Sequence, residues 1–367
     1  MSAISILIQS PPNFTFKFYN KMKLNQMDLT LNAIKKSSKI DQEIYRAKIE
    51  FESLKSIPKL LILGTGDSGK TTFLKQLSIL DGQGFTPLEK TNFRNQIIIQ
   101  IIQSIHIIAQ ICQDLNLLNS MDIDFLRNMD TLNQSNLNGL ERILNTNCLN
   151  PAFLIGYRYE MVTHGEYLIR NAGHYVQDNY ELSNEDILKV RVSTSSITEK
   201  KFNLHEGIIV YDVGGQRGLR KQWMPYFDEV HAIVFVTDIS SFDQTLEEDT
   251  TVNRMKDALL LFINIINAPL LKHISIVLFL NKVDLLETKL EFTTFQHYFP
   301  AFQGEQNIET VSKFIRNQFL SKSKRTRSDG HIIPHITCCT DTKSIKVIVD
   351  TVLSGVLKST LRNIGFV

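Results

Sequence analysis

The run GTGDSGKTT, Gly64 to Thr72, has the residue types and spacing needed to hold a chain of phosphates. It satisfies G-x-x-x-x-G-K-[ST], in which Gly64, Gly66 and Gly69 let backbone N–H groups close round phosphate oxygens, with Thr65, Asp67, Ser68 and Thr72 completing the loop. Lys70 is expected on the β- and γ-phosphates and Thr71 on Mg²⁺. A second run, DVGGQ, ends an apolar stretch at Asp212, where a carboxylate can hold Mg²⁺ through water. Gly214 and Gly215 leave room for a γ-phosphate, which the Gly215 N–H can bond, and Gln216 can orient an attacking water. The third run, NKVD, places Asn281 and Lys282 just before Asp284, whose carboxylate can accept two hydrogen bonds from guanine. Adenine cannot supply that pair of donors, so a buried match of this kind discriminates strongly between the bases. In this order the three runs predict a guanine-nucleotide site and a hydrolysable γ-phosphate. NKVD favours GTP over ATP, against a rival reading as an ATP-using P-loop enzyme.

These residues need elements to carry them. Lys59–Leu63 is a buried-strand run that leads straight into the phosphate loop, and Ile208–Tyr211, Ala232–Thr237 and Ile274–Leu280 are three more. Ile332–Thr337 is a further strand candidate, with Pro334 counting against it. Helical patterns separate several of these runs, which predicts an α/β fold, a mostly parallel sheet flanked by helices. Ligands of such sheets sit beyond the carboxyl ends of the strands, where all three motifs fall.

A helix is expected over 24–56, after an irregular extension at 1–23, and Pro58 ends it. It either packs on its own domain or meets a partner or membrane. Residues 57–83 and 186–367 read as the nucleotide domain, interrupted by 84–185. Within that interruption Gln96, Gln100, Gln103, His106, Gln110 and Gln113 recur at three and four in an isoleucine-rich tract, a polar stripe on an otherwise apolar helix. That suits the central helix of a small bundle, and an inserted all-helical domain is predicted. The last helix is expected over Thr342–Arg362.

Lys and Arg number 40 against 38 Asp and Glu, so nothing global argues for nucleic acid. Cys112, Cys148, Cys338 and Cys339 have no metal-binding spacing and predict a reduced cytosolic protein. The tract Ile97–Cys112 is expected to be too short and too often broken by glutamine to cross a bilayer.

With these motifs in hand, the chain from about residue 35 onward resembles a heterotrimeric G protein alpha subunit, a Ras-like P-loop GTPase fold with an inserted helical domain and an N-terminal helix. DILKVRVSTSSITE (Asp186–Glu199) is similar to the family's first switch and DVGGQRGLRKQW (Asp212–Trp223) to its second. The likeness implies that Leu188, Lys189 and Val190 lie beside the nucleotide, that Arg191 is a built-in arginine finger and that Thr194 binds Mg²⁺. TCCTDT (Thr337–Thr342) resembles the loop whose backbone, here at Cys339, touches guanine. SSKIDQEI (Ser37–Ile44) resembles the N-terminal helix and IIQSI (Ile101–Ile105) the long helix of the helical domain.

The resemblance further implies GTP hydrolysis to GDP as a molecular switch and timer. Gln216, Arg191 and Lys70 would be catalytic, and Thr71, Thr194 and, through water, Asp212 would serve Mg²⁺. It implies a beta-gamma dimer, a G protein-coupled receptor, an effector and a GTPase-activating regulator as partners. The alternative is a pseudo-switch that holds nucleotide, hydrolyses it little and serves as an interaction module.

The chain departs from the family pattern at several places. Asp67 is one methylene shorter than the usual glutamate, which predicts a longer or weaker ion pair with Arg191 in the GDP state. Ser196 stands where glycine is common, which predicts a stiffer first switch, and Gly218 and Leu219 replace a serine–glutamate pair, which predicts a less ordered active second switch and altered effector contacts. Ser2 follows Met1, and residues 1–111 contain no cysteine, so neither the N-myristoylation glycine nor the N-terminal palmitoylation cysteine is found. A cytoplasmic protein held at the inner face of the plasma membrane by its partners is therefore expected. Lys322, Lys324, Arg325 and Arg327 are expected to form a solvated basic loop rather than a membrane patch.

Overall fold

The computed structural model describes residues 57–363 apart from 147, 157–160, 162, 193, 195, 206, 247 and 327–328, with side chains through residue 355. The helix expected over 24–56, the extension at 1–23, the tail 364–367 and Arg327 lie outside the described residues.

Six strands form one sheet: β1 (Lys59–Gly64), β2 (Thr198–Phe202), β3 (Ile208–Asp212), β4 (Ala232–Asp238), β5 (Ser275–Asn281) and β6 (Ile332–Thr337). Their order is β2-β3-β1-β4-β5-β6, and every pair is parallel except β2–β3. The central strands are continuous apolar runs because both faces of the sheet are covered. On one face Leu60, Ile62, Val210, Val234 and Phe279 pack with Phe73 and Leu77 of α1 (Lys70–Leu80) and with Ile345, Val349 and Leu353 of the last helix. On the opposite pleat Phe235 meets Phe262, which in turn meets Phe319, with ring centroids 5.0 and 5.4 Å apart.

The two edges follow different rules. Strand β2, TEKKF, carries charged residues along an exposed edge and has no apolar alternation, so its sequence does not announce a strand. Pro334 is tolerated in β6 because that strand is the other edge and one side of it needs no ladder partner.

Between α1 and β2 the described residues form helices and connecting turns only. The longest, α2 (Pro87–Asp114), starts in a capping box in which Thr86 and Glu89 bond reciprocally, with Pro87 in the first turn. Around it lie α3 (Ser120–Arg127), α4 (Gln134–Leu144), α5 (Asn150–Gly156), α6 (Gly165–Arg170), α7 (Ala172–Val176) and α8 (Asn184–Lys189). Ile97, Ile101, Ile105 and Ile108 form a core with Leu140, Phe153, Leu168 and Tyr175, and it runs on to Ile187 and Val190. By length and composition α2 is apolar enough to cross a membrane, contrary to expectation, yet half of that window is buried, as suits the axis of a helical bundle. Gln96, Gln103, Gln110 and Gln113 are exposed along it, His106 is half-buried and Gln100 is buried.

After β4 come α9 (Arg254–Ile266), then, beyond β5, α10 (Val283–Leu290), α11 (Phe295–Tyr298) and α12 (Ile308–Leu320), and α13 (Thr342–Asn363) follows β6. Before β6, Lys322 and Lys324 are exposed, but Arg325 is not a free surface charge. Its guanidinium donates to the carbonyls of Ile266, Leu271, Ile274 and Gly330 at 2.7–2.9 Å, tying the β5 and β6 lead-ins together.

Candidate nucleotide-binding site

The turn from β1 into α1 can be built only with glycine at two places. A Cβ on Gly64 (φ +145°) would lie 2.0 Å from the Val236 carbonyl oxygen, and one on Gly69 (φ +106°) 2.3 Å from the Asn281 amide nitrogen. Helix α1 starts at Lys70, so its first, unpaired N–H groups face the loop and favour an anion there. The Ser68 hydroxyl donates to the Thr65 carbonyl at 3.0 Å, and Lys70 Nζ donates to the same oxygen at 2.6 Å. Burial lowers Lys70 to about 8, although the Asp212 and Asp67 carboxylates oppose that shift. The lysine is held in the loop before any ligand arrives.

Beside Lys70, side-chain oxygens from three segments converge. The Thr71 and Thr194 hydroxyl oxygens are 2.8 Å apart, and both hydroxyls donate to Asp212 Oδ2, at 3.3 and 3.5 Å. Asp212 is 1 % exposed, burial raises its carboxyl above the usual range, and Oδ1 has no hydrogen-bond partner among the described residues. A buried, half-satisfied carboxylate flanked by two hydroxyls is an all-oxygen donor set of the kind a hard divalent cation takes. These residues fit Mg²⁺.

At the other end of the cleft, NKVD divides its work. The Asn281 amide donates to the Ser68 carbonyl at 2.8 Å, and Oδ1 accepts from the Cys339 N–H at 2.9 Å and the Thr337 hydroxyl at 3.2 Å. Asn281 therefore pins the phosphate loop to the TCCTDT loop. The Cys339 N–H thus bonds Asn281, and the Cys339 carbonyl accepts from Gln76 at 2.8 Å. Lys282 takes a left-handed backbone (φ +65°) and pairs with the buried Asp238 at 2.8 Å. Burial would raise the Asp238 carboxyl, but Lys282 and Arg254 outweigh it and hold it low. Asp284, in the first turn of α10, lines the cleft beside Cys338, Cys339 and Thr340.

Arg191 and Asp67 form an ion pair at 2.6 Å. Asp67 has φ +57°, and this backbone brings its shorter side chain within reach, where Arg254 also approaches at 3.6 Å. Gly218 and Leu219 both lie in the second switch. Residues Arg217–Tyr226 form a 3₁₀ segment in which Arg217 and Arg220 both bind Asp257 of α9, at 2.8 and 2.7 Å. Trp223 is buried and donates from its indole to the Gly214 carbonyl at 3.0 Å. Leu219 presses on Gly214, where a Cβ would lie 2.3 Å from its Cδ1, and a Cβ on Gly215 would lie 2.2 Å from Lys70 Nζ.

One cleft of about 290 Å³ joins these parts. Gly66, Asp67, Ser68, Gly69, Lys70, Thr71, Thr72, Leu188, Lys189, Val190, Arg191, Thr194, Gly215, Gln216, Asn281, Lys282, Asp284 and Cys339 line it. Gly64, Thr65 and Asp212 stand behind the lining as support. Sequence reasoning passed over Lys75, Thr163, His164, Leu219 and Leu285, which also line it. Lys75 follows the phosphate loop by one helical turn, a signal that could have found it. His164 had none, because it reaches the cleft from the helical layer, where burial lowers it to about 3 and keeps it neutral.

The family model for the G-protein alpha subunit matches residues 34–356. The chain is 33 % identical over 353 residues to the guanine nucleotide-binding protein alpha-8 subunit of Caenorhabditis briggsae, covering 89 % of this chain and 96 % of that protein. It is 32 % identical over 347 residues to the alpha-16 subunit of Caenorhabditis elegans, covering 91 % and 96 %. To the G(o) subunit alpha of Locusta migratoria it is 32 % identical over 320 residues, covering 84 % and 90 %. With a phosphate loop, an oxygen donor set and NKVD meeting in one cleft, and with a match spanning most of its length, the chain belongs to the G-protein alpha subunit family and is a guanine-nucleotide-binding alpha subunit.

Proposed function

We propose that the protein binds GTP with Mg²⁺, hydrolyses it to GDP, and relays a receptor signal for as long as GTP persists. The observation that carries this is the meeting of Lys70, Arg191, Gln216 and the Thr71–Thr194–Asp212 oxygens around one cleft. Thr71, Thr194 and Asp212 would hold Mg²⁺, which when bound neutralises charge on the β- and γ-phosphate oxygens. Lys70 meets the same charge from the loop. Arg191 exchanges Asp67 for the terminal phosphoryl group, and Gln216 orients the water. Positioning and electrostatics suffice, and no covalent intermediate is needed.

Membership of the family supports a beta-gamma dimer, a seven-helix receptor, an effector and a GTPase-activating regulator as partners. We propose in addition a place at the cytoplasmic face of the plasma membrane, held there through them. Hydrolysis should switch the signal off, because the segments at Thr194 and Gly215 would lose their tether to the γ-phosphate.

Single-turnover hydrolysis of preloaded GTP by the purified chain tests this. The rate should exceed that of Gln216→Leu by more than tenfold, an order-of-magnitude expectation for loss of a water-positioning group. Equal rates would leave a nucleotide-holding module. Effective displacement of labelled GTP by equimolar ATP would overturn the guanine assignment.

A further inference from the structure

Gln100 is the one member of the exposed glutamine stripe on α2 that is buried, at 5 % exposure. A buried amide needs partners, and this one finds them 91 residues away. Its Oε1 accepts from the Arg191 N–H at 3.0 Å and its Nε2 donates to the Arg191 carbonyl at 2.6 Å. A side-chain amide that bonds both the N–H and the C=O of one residue holds that residue's backbone as a neighbouring strand would. It is the Cα of Arg191 that is fixed, while the side chain extends to Asp67.

The residues just before Arg191 are held from the other side. Lys75 of α1 donates to the carbonyls of Ile187 and Val190 at 2.9 and 2.7 Å, and the Ile187 and Val190 side chains sit in the helical core. The nucleotide layer and the helical layer thus both grip this segment, and Gln100 grips the backbone of Arg191 itself.

We propose that Gln100 is a positioning residue for Arg191. It acts through the arginine's backbone, so that the guanidinium turns from Asp67 to the terminal phosphoryl group by side-chain rotation alone. An arginine on a fixed Cα searches rotamers, whereas one on a loose Cα must also pay for main-chain ordering in the transition state. The seating of the helical layer against the cleft thereby becomes a condition for fast hydrolysis. This inference rests on the proposed hydrolytic role of Arg191.

The test is single-turnover hydrolysis of preloaded GTP by the full chain, which reads the hydrolytic step apart from nucleotide release. It compares wild type, Gln100→Met, Gln100→Glu, Arg191→Ala and the Gln100→Met/Arg191→Ala double variant. Gln100→Met keeps the length and loses both bonds, and it should slow hydrolysis on the order of tenfold. Affinity for a non-hydrolysable GTP analogue should stay within about twofold, since the clamp touches no ligand group. Gln100→Glu keeps the acceptor for the Arg191 N–H and should fall between Gln100→Met and wild type. In the Arg191→Ala background Gln100→Met should cost nothing further, because the clamp has no arginine left to place.

An equal loss in both backgrounds, or a loss of analogue affinity matching the loss of rate, would make Gln100 a structural residue and overturn the proposal. If Arg191→Ala slows hydrolysis while Gln100→Met does not, the clamp alone falls. If Arg191→Ala changes nothing, the role of the arginine falls and the clamp with it. Should Gln100→Met fold poorly, the order of Gln100→Glu against wild type, with and without Arg191→Ala, carries the same decision.

Discussion

The lead-in to the first switch and the body of the second are both short segments beside one cleft, yet they are held by different physics. Ahead of Arg191, Asp186 is 1 % exposed and accepts from the hydroxyls of Tyr167, Tyr175, Tyr180 and Ser183 and from the Ser183 N–H. Burial would raise its carboxyl, but the bonds from Ser183, Tyr175 and Tyr180 outweigh burial and hold it below the usual range. The second switch instead hangs on Arg217 and Arg220, partly exposed arginines that grip the buried Asp257, and on the buried indole of Trp223. Buried, multiply bonded anchors are costly to break, whereas partly exposed ion pairs exchange readily with water and salt. The comparison sets an anchor lined by buried hydroxyls, ahead of Arg191, against one made by partly exposed arginines, in the second switch.

The largest break comes at Asp186. Asp186→Ala strands three tyrosine hydroxyls around an apolar methyl group. It should lower stability by about 3 kcal/mol or more, read by urea unfolding. Asp257→Ala releases both arginines and should cost about 1–2 kcal/mol. Its effect on the emission of Trp223, the only tryptophan, should be disproportionate, with the change on adding Mg²⁺ and a GTP analogue reduced or lost. Raising salt to about 1 M, where the Debye length is ~3 Å, should mimic Asp257→Ala in part and leave the Asp186 cluster untouched. Equal salt sensitivity at both would erase the distinction.

A subtler test uses Lys75, which burial lowers from 10.5 to about 7. The unfolded chain keeps this proton up to about pH 10.5 while the folded chain releases it above about 7. The unfolded state therefore binds more protons between these values, and stability must rise with pH across that window. Below 7 the cost of burying the ammonium is borne in full. Lys75→Met should flatten the rise, measured as unfolding free energy at pH 7, 8 and 9. The neutral amine can still donate to both carbonyls it faces, so the first-switch lead-in should stay in place. The smallest effect belongs to Glu185→Ala. It removes only an exposed i,i+4 partner of Lys189 and should change stability by no more than about 0.5 kcal/mol.

Much of this was legible in residue order alone. The four central strands show as continuous apolar runs because both sheet faces are covered, and Gly64, Gly69 and Gly215 show as glycines because a Cβ there would collide with the Val236 carbonyl, the Asn281 amide or Lys70. Strand β2 was not legible, since an exposed edge selects for charge rather than alternation. The 2.6 Å reach of Asp67 to Arg191 depends on a left-handed backbone angle that its residue type permits but does not announce.

What the chain's chemistry marked unaided was which groups suit a phosphate, a divalent cation and a guanine, because such ligands demand particular donors at short spacing. Which polar groups would bind the protein itself was decided only in three dimensions. Asn281 bridges two loops, Lys282 is claimed by Asp238, and Gln100 leaves a solvent stripe for the Arg191 backbone. Those partners lie tens to hundreds of residues apart, and no local pattern encodes a bond whose second half arrives only when two layers pack.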